Sequence, residues 1–333
     1  MKKGRLFLID TFGFIFRAYH ARARSGAPPM RTSTGLSTEA VFIFNNMVRK
    51  LTRTYQPEWI AAVFESVGPT LREQEFSQYK ANRKEMPEDL GPQIVSIRRL
   101  LEAMRIPILQ YPGFEADDVI GTISRRTGAG EVVIVSSDKD MLQLVNERVS
   151  MLNPAKDDTW YDPAAVRTFL GVAPEQVADL LALKGDSVDN IPGAPGIGDK
   201  GAKDIIERFG SVEAAIERAG ELERKMYRES LQNHADQVRL SKRLATIECA
   251  VPIEFSLDAV ATREPDVAAL KQIYKELEMH SMLRELGPGE DTRAKDYRRL
   301  EPGEVAAWLE GVPPDATLAV AVSVPEDGTL DVA

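Results

Sequence analysis

The sequence predicts an α/β fold with a parallel sheet, followed by a helical region. Three apolar runs have the length and composition of buried strands, namely RLFLI (5–9), WIAAVF (59–64) and EVVIVS (131–136), and helical patterns lie between them. Strands that alternate with helices are typical of βαβ units, which place parallel strands side by side. After Pro174 the strands largely stop, and the chain reads as helical to about Leu286. A chain of 333 residues is long enough for two domains.

The first two helices are predicted from apolar residues at helical spacing. The first follows strand 5–9 directly and reads TFGFIFRAYHARAR. We expect its apolar face to consist of Phe12, Ile15, Phe16 and Tyr19. The second runs from about Glu39 to Tyr55. Its apolar face is predicted to consist of Val41, Phe44, Val48 and Leu51.

Residues 70–90 do not fit the alternation of strands and helices. They are polar and basic, with almost no apolar periodicity, and the helix IVSIRRLLEAM follows them. A long segment without core residues inside an α/β pattern is commonly functional. We therefore expect residues 70–90 to cover an active site.

Nine carboxylates stand where predicted strands and turns end. In a parallel sheet such positions lie along one edge, where α/β folds bind their ligands. Unpaired anions in one crevice repel one another by on the order of several kcal/mol unless divalent cations neutralise them. An aspartate that caps the following helix is the alternative for any single position. Taken together, the set predicts a metal site formed by Asp10, Glu65, Glu115, Asp117, Asp118, Asp138, Asp140, Asp186 and Asp189.

The types of ligand narrow the choice of metal. Oxygen ligands suit Mg²⁺ or Mn²⁺, whereas zinc prefers cysteine and histidine. The chain contains one cysteine, Cys249, and three widely separated histidines, His20, His234 and His280. Zinc chemistry and a cysteine nucleophile are therefore not expected.

The same composition bears on location. A single cysteine cannot form an internal disulfide, and the start MKKGRLFLID runs directly into a strand without a long apolar segment. No stretch approaches the roughly 18 consecutive apolar residues of a membrane span. We expect a cytoplasmic protein that does not insert into membranes.

The charge of the chain is unevenly distributed. The net charge is −9, yet residues 1–110 contain 17 Lys and Arg against 10 Asp and Glu. Basic residues are therefore concentrated around the first part of the acidic set. A basic surface beside a metal-binding crevice suits a phosphate polymer, which needs cations along its backbone and at the reacting phosphate.

Five segments of the chain resemble the flap-nuclease family, to which the 5′→3′ exonuclease domains of bacterial DNA polymerases I belong. They are LIDTFGFIFRAYHA, PTLREQEFSQYKANR, GFEADDVIG, VVIVSSDKDMLQLV and LALKGDSVDNIPGAPGIGDKGA, in the order and spacing of that family. The resemblance covers about residues 4–286 and includes QVRLSKRLATIECAVPIEF.

The resemblance implies a PIN-like parallel-sheet nuclease core with a helical arch, followed by a helical lobe that contains a helix-two-turn-helix. We expect the core at 1–175, with the arch at about 70–110, and the duplex-binding lobe at 176–286. A linker is expected at 287–316, because this stretch is rich in Gly, Pro and charge. Residues 317–333 resemble the start of a truncated proofreading-like domain.

That last fragment differs from the active form of the domain it resembles. The active form has Asp-x-Glu near the end of its first strand, whereas this chain has Ser323, Val324 and Pro325. The resemblance therefore implies an inactive version. A fragment of two strands is also too small to be stable alone.

The resemblance further implies two divalent ions, one that activates water and one that stabilises the leaving oxygen. The first ion is expected among Asp10, Glu65, Glu115 and Asp117. The second is expected among Asp138, Asp140, Asp186 and Asp189, with Asp118 in support. Glu65 departs from the family pattern, which has aspartate at this position, and its extra methylene could weaken activity.

Lys80 and Arg83 match the arch residues that meet the scissile phosphate in this family, where a cation stabilises the added negative charge of the transition state. Tyr79, Arg17 and Tyr19 are placed in the active site by the same resemblance, with the tyrosines as surfaces for base stacking. The alternative for Lys80 and Arg83 is a solvated basic helix. The alternative for Tyr19 is a place in the core.

The run IPGAPGIGDKG (191–201) is predicted to hold duplex DNA. Glycine permits a close approach of the backbone to phosphate, and a helix N-terminus attracts anions. The predicted contacts are Gly193, Gly196, Ile197, Gly198 and Lys200. The family often binds K⁺ here through backbone carbonyls, so K⁺ is a further expected ligand. Glycines that merely end helices are the alternative. Such contacts read phosphate and shape rather than base sequence.

The function implied is a structure-specific 5′ nuclease of replication and repair that cuts DNA with 5′ flaps or nicks, with RNA–DNA hybrids as further candidate substrates. We expect a monomer that is fused to a polymerase in the full-length protein. One alternative is a structure-specific DNA-binding module, either with catalysis impaired by Glu65 or with the role of positioning another enzyme. Another is a metal-dependent ribonuclease of the same α/β fold, which would not need the segment IPGAPGIG.

Overall fold

The computed structural model describes residues 4–25, 28–83, 85–287, 301, 303–312, 322–323 and 331–332. The chain forms two compact units, Met1–Gly287 and Pro288–Ala333. Most of the predicted linker and of the proofreading-like fragment lies outside the described residues. The described residues of the second unit include a helix at Val305–Glu310 and a short antiparallel pair of strands, Val322–Ser323 with Asp331–Val332.

The α/β part of the first unit contains, in chain order, β1 (Arg5–Asp10), α1 (Thr11–Ser25), α2 (Glu39–Tyr55), β2 (Trp59–Val63), α3 (Leu71–Glu75), α4 (Gly91–Ala103), β3 (Ile108–Leu109), α5 (Ala116–Arg126), β4 (Glu131–Val135), β5 (Val149–Asn153), β6 (Thr159–Tyr161) and α6 (Pro163–Leu170). The helical part contains α7 (Val177–Lys184), α8 (Asp199–Phe209), α9 (Val212–Glu217), α10 (Lys225–Asn233), α11 (Ala235–Ala245), α12 (Val267–Glu276) and α13 (His280–Glu285).

The strands form one six-stranded sheet with the order β3-β2-β1-β4-β5-β6. The first five strands are parallel, and β6 pairs antiparallel with β5. From β1 the chain moves outward to β2 and β3 on one side, and later to β4 and β5 on the other. The carboxyl ends of β1 and β4 therefore flank the point where the strand order reverses, which is where such sheets form a ligand crevice. The predicted α/β class and parallel sheet are confirmed.

Alternating residues of β1 build two cores. Leu6 and Leu8 face one core, which also contains residues of α5 and of the helices α7 to α11. Phe7 and Ile9 face the other core, which contains residues of α1, α2, α4 and α12. Side chains of a strand alternate between the two faces of its sheet. The sheet is therefore covered on both sides, which explains why its strands are continuously apolar.

The second predicted helix is confirmed as α2, and the four apolar residues predicted for its face are all buried. The predicted face of α1 is wrong in part. Ile15 is fully buried, but Phe16 is 37% exposed, and the other two predicted residues are half-buried. The helix buries Phe14 and Ala18 instead. The reason is tertiary packing, since the Phe14 ring lies edge-on to Phe44 of α2 with 6.3 Å between ring centroids.

The segment predicted as a helical arch, about 70–110, divides into two parts. Helix α3 has only five residues and begins with a capping box between Thr70 and Glu73, and turns follow it as far as residue 83. Helix α4 instead packs in the core through Ile97 and Leu100. The part of the chain available to cover a site is therefore about 70–90, which is shorter than the predicted arch.

The helical part is organised around the turn between α7 and α8. Gly185 and Gly193 have positive φ values of 73° and 67°. A Cβ atom added to Gly193 would lie 2.4 Å from the backbone nitrogen of Gly185, so the two backbones are in contact.

In the described residues no helix has the length and apolar character needed to cross a membrane.

Candidate active site

Three of the predicted acids follow neighbouring strands at the carboxyl edge of the sheet. Asp10 ends β1, Glu65 follows β2, and Asp138 follows β4. The hydroxyl of Ser136 donates to Asp10 Oδ2 at 2.7 Å, which joins the ends of β1 and β4. The amide of Asp138 donates to Ser136 Oγ at 3.0 Å. The predicted crevice is thus built directly at the reversal of strand order.

Three further carboxylates lie at the N-terminus of α5. Glu115, Asp117 and Asp118 each offer an oxygen, and these oxygens lie within 4.8 Å of one another. Glu65 Oε2 accepts from the amide of Ala116 at 3.0 Å, which brings the end of β2 to the same helix terminus. A helix N-terminus stabilises negative charge. Its partial charge is nevertheless too small to balance four carboxylates.

The remaining acids come from two loops. Asp138 Oδ1 accepts from the amide of Asp140 at 2.9 Å, and a 3-10 helix covers Asp140–Leu144. Asp186 and Asp189 lie between α7 and α8, and Asp186 Oδ1 accepts from the amide of Val188 at 2.7 Å. Burial, followed by repulsion from Asp138, Asp186 and Asp189, raises the pKa of Asp140 well above its ordinary value. The acids of the two loops therefore act on one another electrostatically.

The electrostatics of the crevice favour added cations. Burial is the main cause that raises the pKa of Glu65 to about 7 and that of Asp138 to about 6, and neighbouring acids add to both shifts. Burial also raises the pKa of Asp10, and raises that of Asp117 well above its ordinary value. Upward shifts mean that the protein disfavours these charges on its own. Closely spaced carboxylate oxygens of this kind fit hard divalent cations such as Mg²⁺ or Mn²⁺.

Lys80 lies between the two groups of acids. Its Nζ is 2.6 Å from Glu115 Oε1 and 3.9 Å from Asp189 Oδ2. Its backbone amide also donates to the carbonyl of Asp189 at 3.0 Å, and its φ of 57° is left-handed. Arg83 Nη2 binds Asp189 Oδ1 at 2.5 Å. Segment 78–83 is thus fixed over the crevice, and both predicted cations reach the acids.

Neighbouring carboxylates stabilise the positive charge of Lys80. Burial lowers its pKa, but attraction to Glu115, Asp189 and Asp117 outweighs burial, and the pKa is raised overall. Lys80 therefore stays cationic. The stacking role expected for Tyr79 is wrong, because the residue is 4% exposed and its hydroxyl donates to Glu115 at 3.1 Å and to Asp189 at 3.3 Å. Tyr79 orients carboxylates instead.

Two predicted active-site residues, Tyr19 and Arg17, form no hydrogen bond in the described residues with any of the nine predicted acids. The hydroxyl of Tyr19 donates to Asp89 Oδ1 at 2.8 Å. Arg17 is half-buried, and its Nη1 is buried without a hydrogen-bond partner among the described residues. The pKa of Arg17 is lowered by burial, and the charge that acts on it most is that of Asp158, in the β5–β6 connection. Both residues lie on α1 beyond its first turn, where the amide of Gly13 donates to Asp10 Oδ1 at 3.3 Å.

The predicted duplex-binding turn is exposed at three of its five positions. Gly196, Gly198 and Lys200 are exposed, and α8 begins directly after Gly198. Gly193 and Ile197 are buried, so their predicted direct contact with DNA is wrong. Gly193 is buried because its carbonyl accepts from Gln237 and its amide donates to Ser241, both on α11.

Arg72, which the sequence does not predict as a site residue, also binds the carboxylates of the crevice. Its guanidinium donates to Glu115 Oε2 at 2.8 Å and to both oxygens of Asp118 at 2.6 and 2.9 Å. The residue stands in the segment PTLREQEFSQYKANR, where it was indistinguishable from the surrounding polar residues. A buried partner could not be inferred from a segment without apolar periodicity.

Comparison with known proteins decides the family. Residues 5–171 match the family described as "5'-3' exonuclease, N-terminal resolvase-like domain", and residues 172–268 match "5'-3' exonuclease, C-terminal SAM fold". The chain belongs to the 5′-3′ exonuclease family. The 5′-3′ exonuclease of Aquifex aeolicus is 36% identical, over 84% of this chain and 94% of that protein. The family predicted from the five segments is confirmed.

DNA polymerase I of Rhizobium leguminosarum is 38% identical over 98% of this chain. That match covers 33% of the polymerase, so this 5′-3′ exonuclease chain spans about a third of the polymerase's length. The DNA polymerase I of Chloroflexus aurantiacus is 40% identical over 82% of this chain and 29% of its own length.

Two solved structures share the fold at low sequence identity. The T5 D15 protein co-crystallised with metal ions gives a TM-score of 0.63 at 21% identity, over 83% of this chain and 98% of that protein. The catalytic core of Rad2 in complex with a DNA substrate gives 0.57 at 16% identity, over 85% and 90%. The resolvase-like, PIN-type core and the helical C-terminal part are therefore established as the fold of this chain.

Proposed function

We propose that this chain hydrolyses phosphodiester bonds of DNA as a metal-dependent 5′→3′ exonuclease and flap endonuclease. The observation that carries the proposal is the position of Lys80, a buried cation between two groups of carboxylates at the reversal point of a parallel sheet. Acids that bind cations, with a lysine among them, suit a reaction in which negative charge grows on a phosphate. Flap endonuclease and DNA complexes named among the structural neighbours agree with this substrate class.

We assign the metal ligands by their position in the crevice. One ion, Mg²⁺ or Mn²⁺, would be held by Asp10, Glu65, Glu115 and Asp117. A second would be held by the acids of the two loops, namely Asp138, Asp140, Asp186 and Asp189. When bound, such ions activate water and stabilise a leaving oxygen.

The protein's own cations act on the phosphate. Lys80 and Arg83 approach from the segment that covers the crevice, with Arg83 half-exposed and Lys80 largely buried. Because burial strengthens electrostatic interactions, Lys80 would stabilise the added charge of the transition state more than an exposed lysine would. Tyr79 holds Glu115 and Asp189 in place for this interaction, and needs no contact with a base.

Grip on duplex DNA is assigned to the exposed part of the turn before α8. Gly196, Gly198 and Lys200 present backbone amides and one cation to solvent, and the first turn of α8 adds its free N–H groups. We also propose that K⁺ binds backbone carbonyls of this turn, as the resemblance implies. These contacts read phosphate rather than base sequence, so binding should depend on DNA shape.

The alternatives are less well supported. A DNA-binding module with impaired catalysis would require that Glu65 fail to reach the site, yet Glu65 accepts from the N-terminus of α5 beside Glu115. A ribonuclease of the same fold would have no use for an exposed glycine turn directly after Asp186 and Asp189. RNA–DNA hybrids remain proposed substrates of the same site.

The full-length partners are proposals of the same kind. We propose a monomeric nuclease core within about 1–175, a duplex-binding lobe within 176–286, and fusion to a polymerase, which accords with the polymerase relatives being about three times longer. A role in replication and repair follows, because flaps and nicks arise there.

The proposal is tested with a 5′-labelled flap substrate in Mg²⁺, with and without EDTA. We expect cleavage in Mg²⁺ alone, and none by an Asp117→Asn variant that binds the substrate normally. Binding without cleavage by the parent chain at any Mg²⁺ or Mn²⁺ concentration would instead establish the DNA-binding module.

A further inference from the structure

Arg72 lies at the junction of three segments of the chain. Nη1 donates to Glu115 and Asp118 in the first turn of α5, and Nη2 donates to Asp118 and to the carbonyl of Thr246 at 2.9 Å, directly after α11. Its side chain is 10% exposed. One residue of α3 thus joins the candidate metal site to the helical part.

The hydrogen bonds of Asp118 leave it little room for a metal. Each of its two oxygens accepts one bond from Arg72, Oδ2 also accepts from the amide of Glu115 at 3.1 Å, and Oδ1 also accepts from the amide of Glu248 at 2.8 Å. A carboxylate offers about four acceptor positions, and all four are used. Asp117 differs, since within the described residues only its Oδ1 accepts a hydrogen bond, from the amide of Asp118.

The same guanidinium orients Glu115. Arg72 and Tyr79 both donate to Oε2, whereas Oε1 faces Lys80. Glu115 is therefore fixed at both oxygens, with Oε2 held by Arg72 and Tyr79 and Oε1 contacting Lys80 at 2.6 Å on the side of the crevice. Arginine can do this because its planar fork makes several bonds in fixed directions, which a lysine cannot reproduce.

We propose that Arg72 is a positioning residue of the metal site and that Asp118 is its anchor rather than a metal ligand; this rests on the proposed function. By holding Oε2 of Glu115 and both oxygens of Asp118, Arg72 presents Glu115 Oε1 and Asp117 to a divalent cation. Because it also binds the carbonyl of Thr246, the geometry of these ligands depends on how α11 meets α3 and α5.

The first test is Arg72→Lys, with Arg243→Lys as a matched control. Arg243 binds the single carboxylate of Glu75 at 2.8 Å on the exposed surface near Arg72. We expect Arg72→Lys to weaken Mn²⁺ binding, measured by calorimetry without DNA, by about 10-fold, the usual size of an effect from a residue that orients ligands. The Mg²⁺ concentration for half-maximal cleavage should rise similarly, while flap binding in EDTA stays unchanged. The control should match the parent.

The second variant removes both charges together, Arg72→Gln with Asp118→Asn, so that no buried charge is left unpaired if the single change prevents folding. We expect this variant to keep measurable Mn²⁺ binding, weakened about as much as in Arg72→Lys. A folded double variant without detectable Mn²⁺ binding would make Asp118 a ligand and overturn the proposal. So would an Arg72→Lys variant whose Mn²⁺ affinity and Mg²⁺ requirement lie within twofold of the parent values.

Failure of this inference is separable from failure of the proposed function. Mn²⁺ calorimetry needs neither substrate nor turnover, so it reports the positioning role even if the parent chain does not cut flap DNA. Conversely, flap cleavage by the parent chain supports the nuclease function whatever Arg72 does.

Discussion

An added methyl group should have different effects at two glycines of the same turn, lowering stability at Gly193 and weakening DNA binding at Gly198. At Gly193 the φ of 67° is left-handed, which costs an L-residue about 1–2 kcal/mol. The new Cβ would also lie 2.4 Å from the nitrogen and 2.7 Å from the Cα of Gly185, and such overpacking costs about 1–3 kcal/mol more. We expect Gly193→Ala to lower the free energy of unfolding by about 2–5 kcal/mol.

At Gly198 the same change meets open space. Its φ is −90°, and no atom lies within 4 Å of the new Cβ. The cost to folding should therefore stay below about 1 kcal/mol, the loss of an N-cap preference. If DNA phosphate approaches here, the methyl group should weaken flap binding by about 5- to 10-fold, or roughly 1–1.4 kcal/mol.

Urea unfolding and fluorescence anisotropy separate the two effects. Binding is measured in Mg²⁺ in an Asp117→Asn background, which prevents cleavage. The midpoint of urea unfolding should fall for Gly193→Ala with an unchanged slope, and stay near the parent value for Gly198→Ala. Equal affinity of Gly198→Ala and the parent would refute the assignment of the exposed turn to DNA. An unaltered midpoint for Gly193→Ala would refute the packing argument.

Four further changes probe the crevice. Asp138→Ala should lower turnover by orders of magnitude with nearly unchanged flap binding, and parental cleavage would remove it from the metal ligands. Lys80→Ala should slow the single-turnover rate at saturating enzyme, and rescue by more enzyme would contradict a role in chemistry. The cleavage rate of Glu65→Asp should stay within about tenfold of the parent rate, a change in barrier of roughly 1.4 kcal/mol. Glu65→Gln should lose more of the cleavage rate and need a higher Mg²⁺ concentration. If Glu65→Gln had the parent rate and the parent Mg²⁺ requirement, Glu65 would not belong to the metal site. Because the folded pKa of Glu65, about 7, exceeds its unfolded value of 4.5, its stabilisation is complete below pH 4.5 and is lost as pH rises through 7. In EDTA the free energy of unfolding should therefore fall between about pH 4.5 and 7 by up to about 3 kcal/mol, less after solvent screening, and Glu65→Gln should reduce this fall.

The parts of the fold that could be predicted are those encoded by local periodicity. The apolar run before Asp10 and the spacing in α2 each specify an element without reference to the rest of the chain. The end of a parallel strand then places its acid at a known edge of the sheet, which is why Asp10, Glu65 and Asp138 could be assigned together. Even so, periodicity alone did not give the buried face of α1, because packing of Phe14 against Phe44 selects it.

The parts that could not be predicted depend on contacts between distant segments. Tyr79 reads as an exposed aromatic in a polar stretch, yet it is buried against Asp189, 110 residues further on. Gly193 and Gly198 are equivalent in sequence, but only the first meets another backbone. In each case the partner lies in another element, so neither residue type nor spacing carried the information.

Asp117 and Asp118 show where prediction from residue type ends within the site itself. Both are aspartates at the start of α5, and residue type alone predicts both as metal-binding acids. Consecutive residues of a helix point about 100° apart, so the two carboxylates can have different hydrogen-bond partners although their oxygens lie close together. One faces the crevice, and the other is enclosed by Arg72 and two backbone amides. The acidic residues predict that a metal site exists. Which of two adjacent acids is available to a metal depends on the hydrogen bonds that each already accepts. In Asp118 these come from Arg72 and from two backbone amides, which leaves Asp117 as the available ligand.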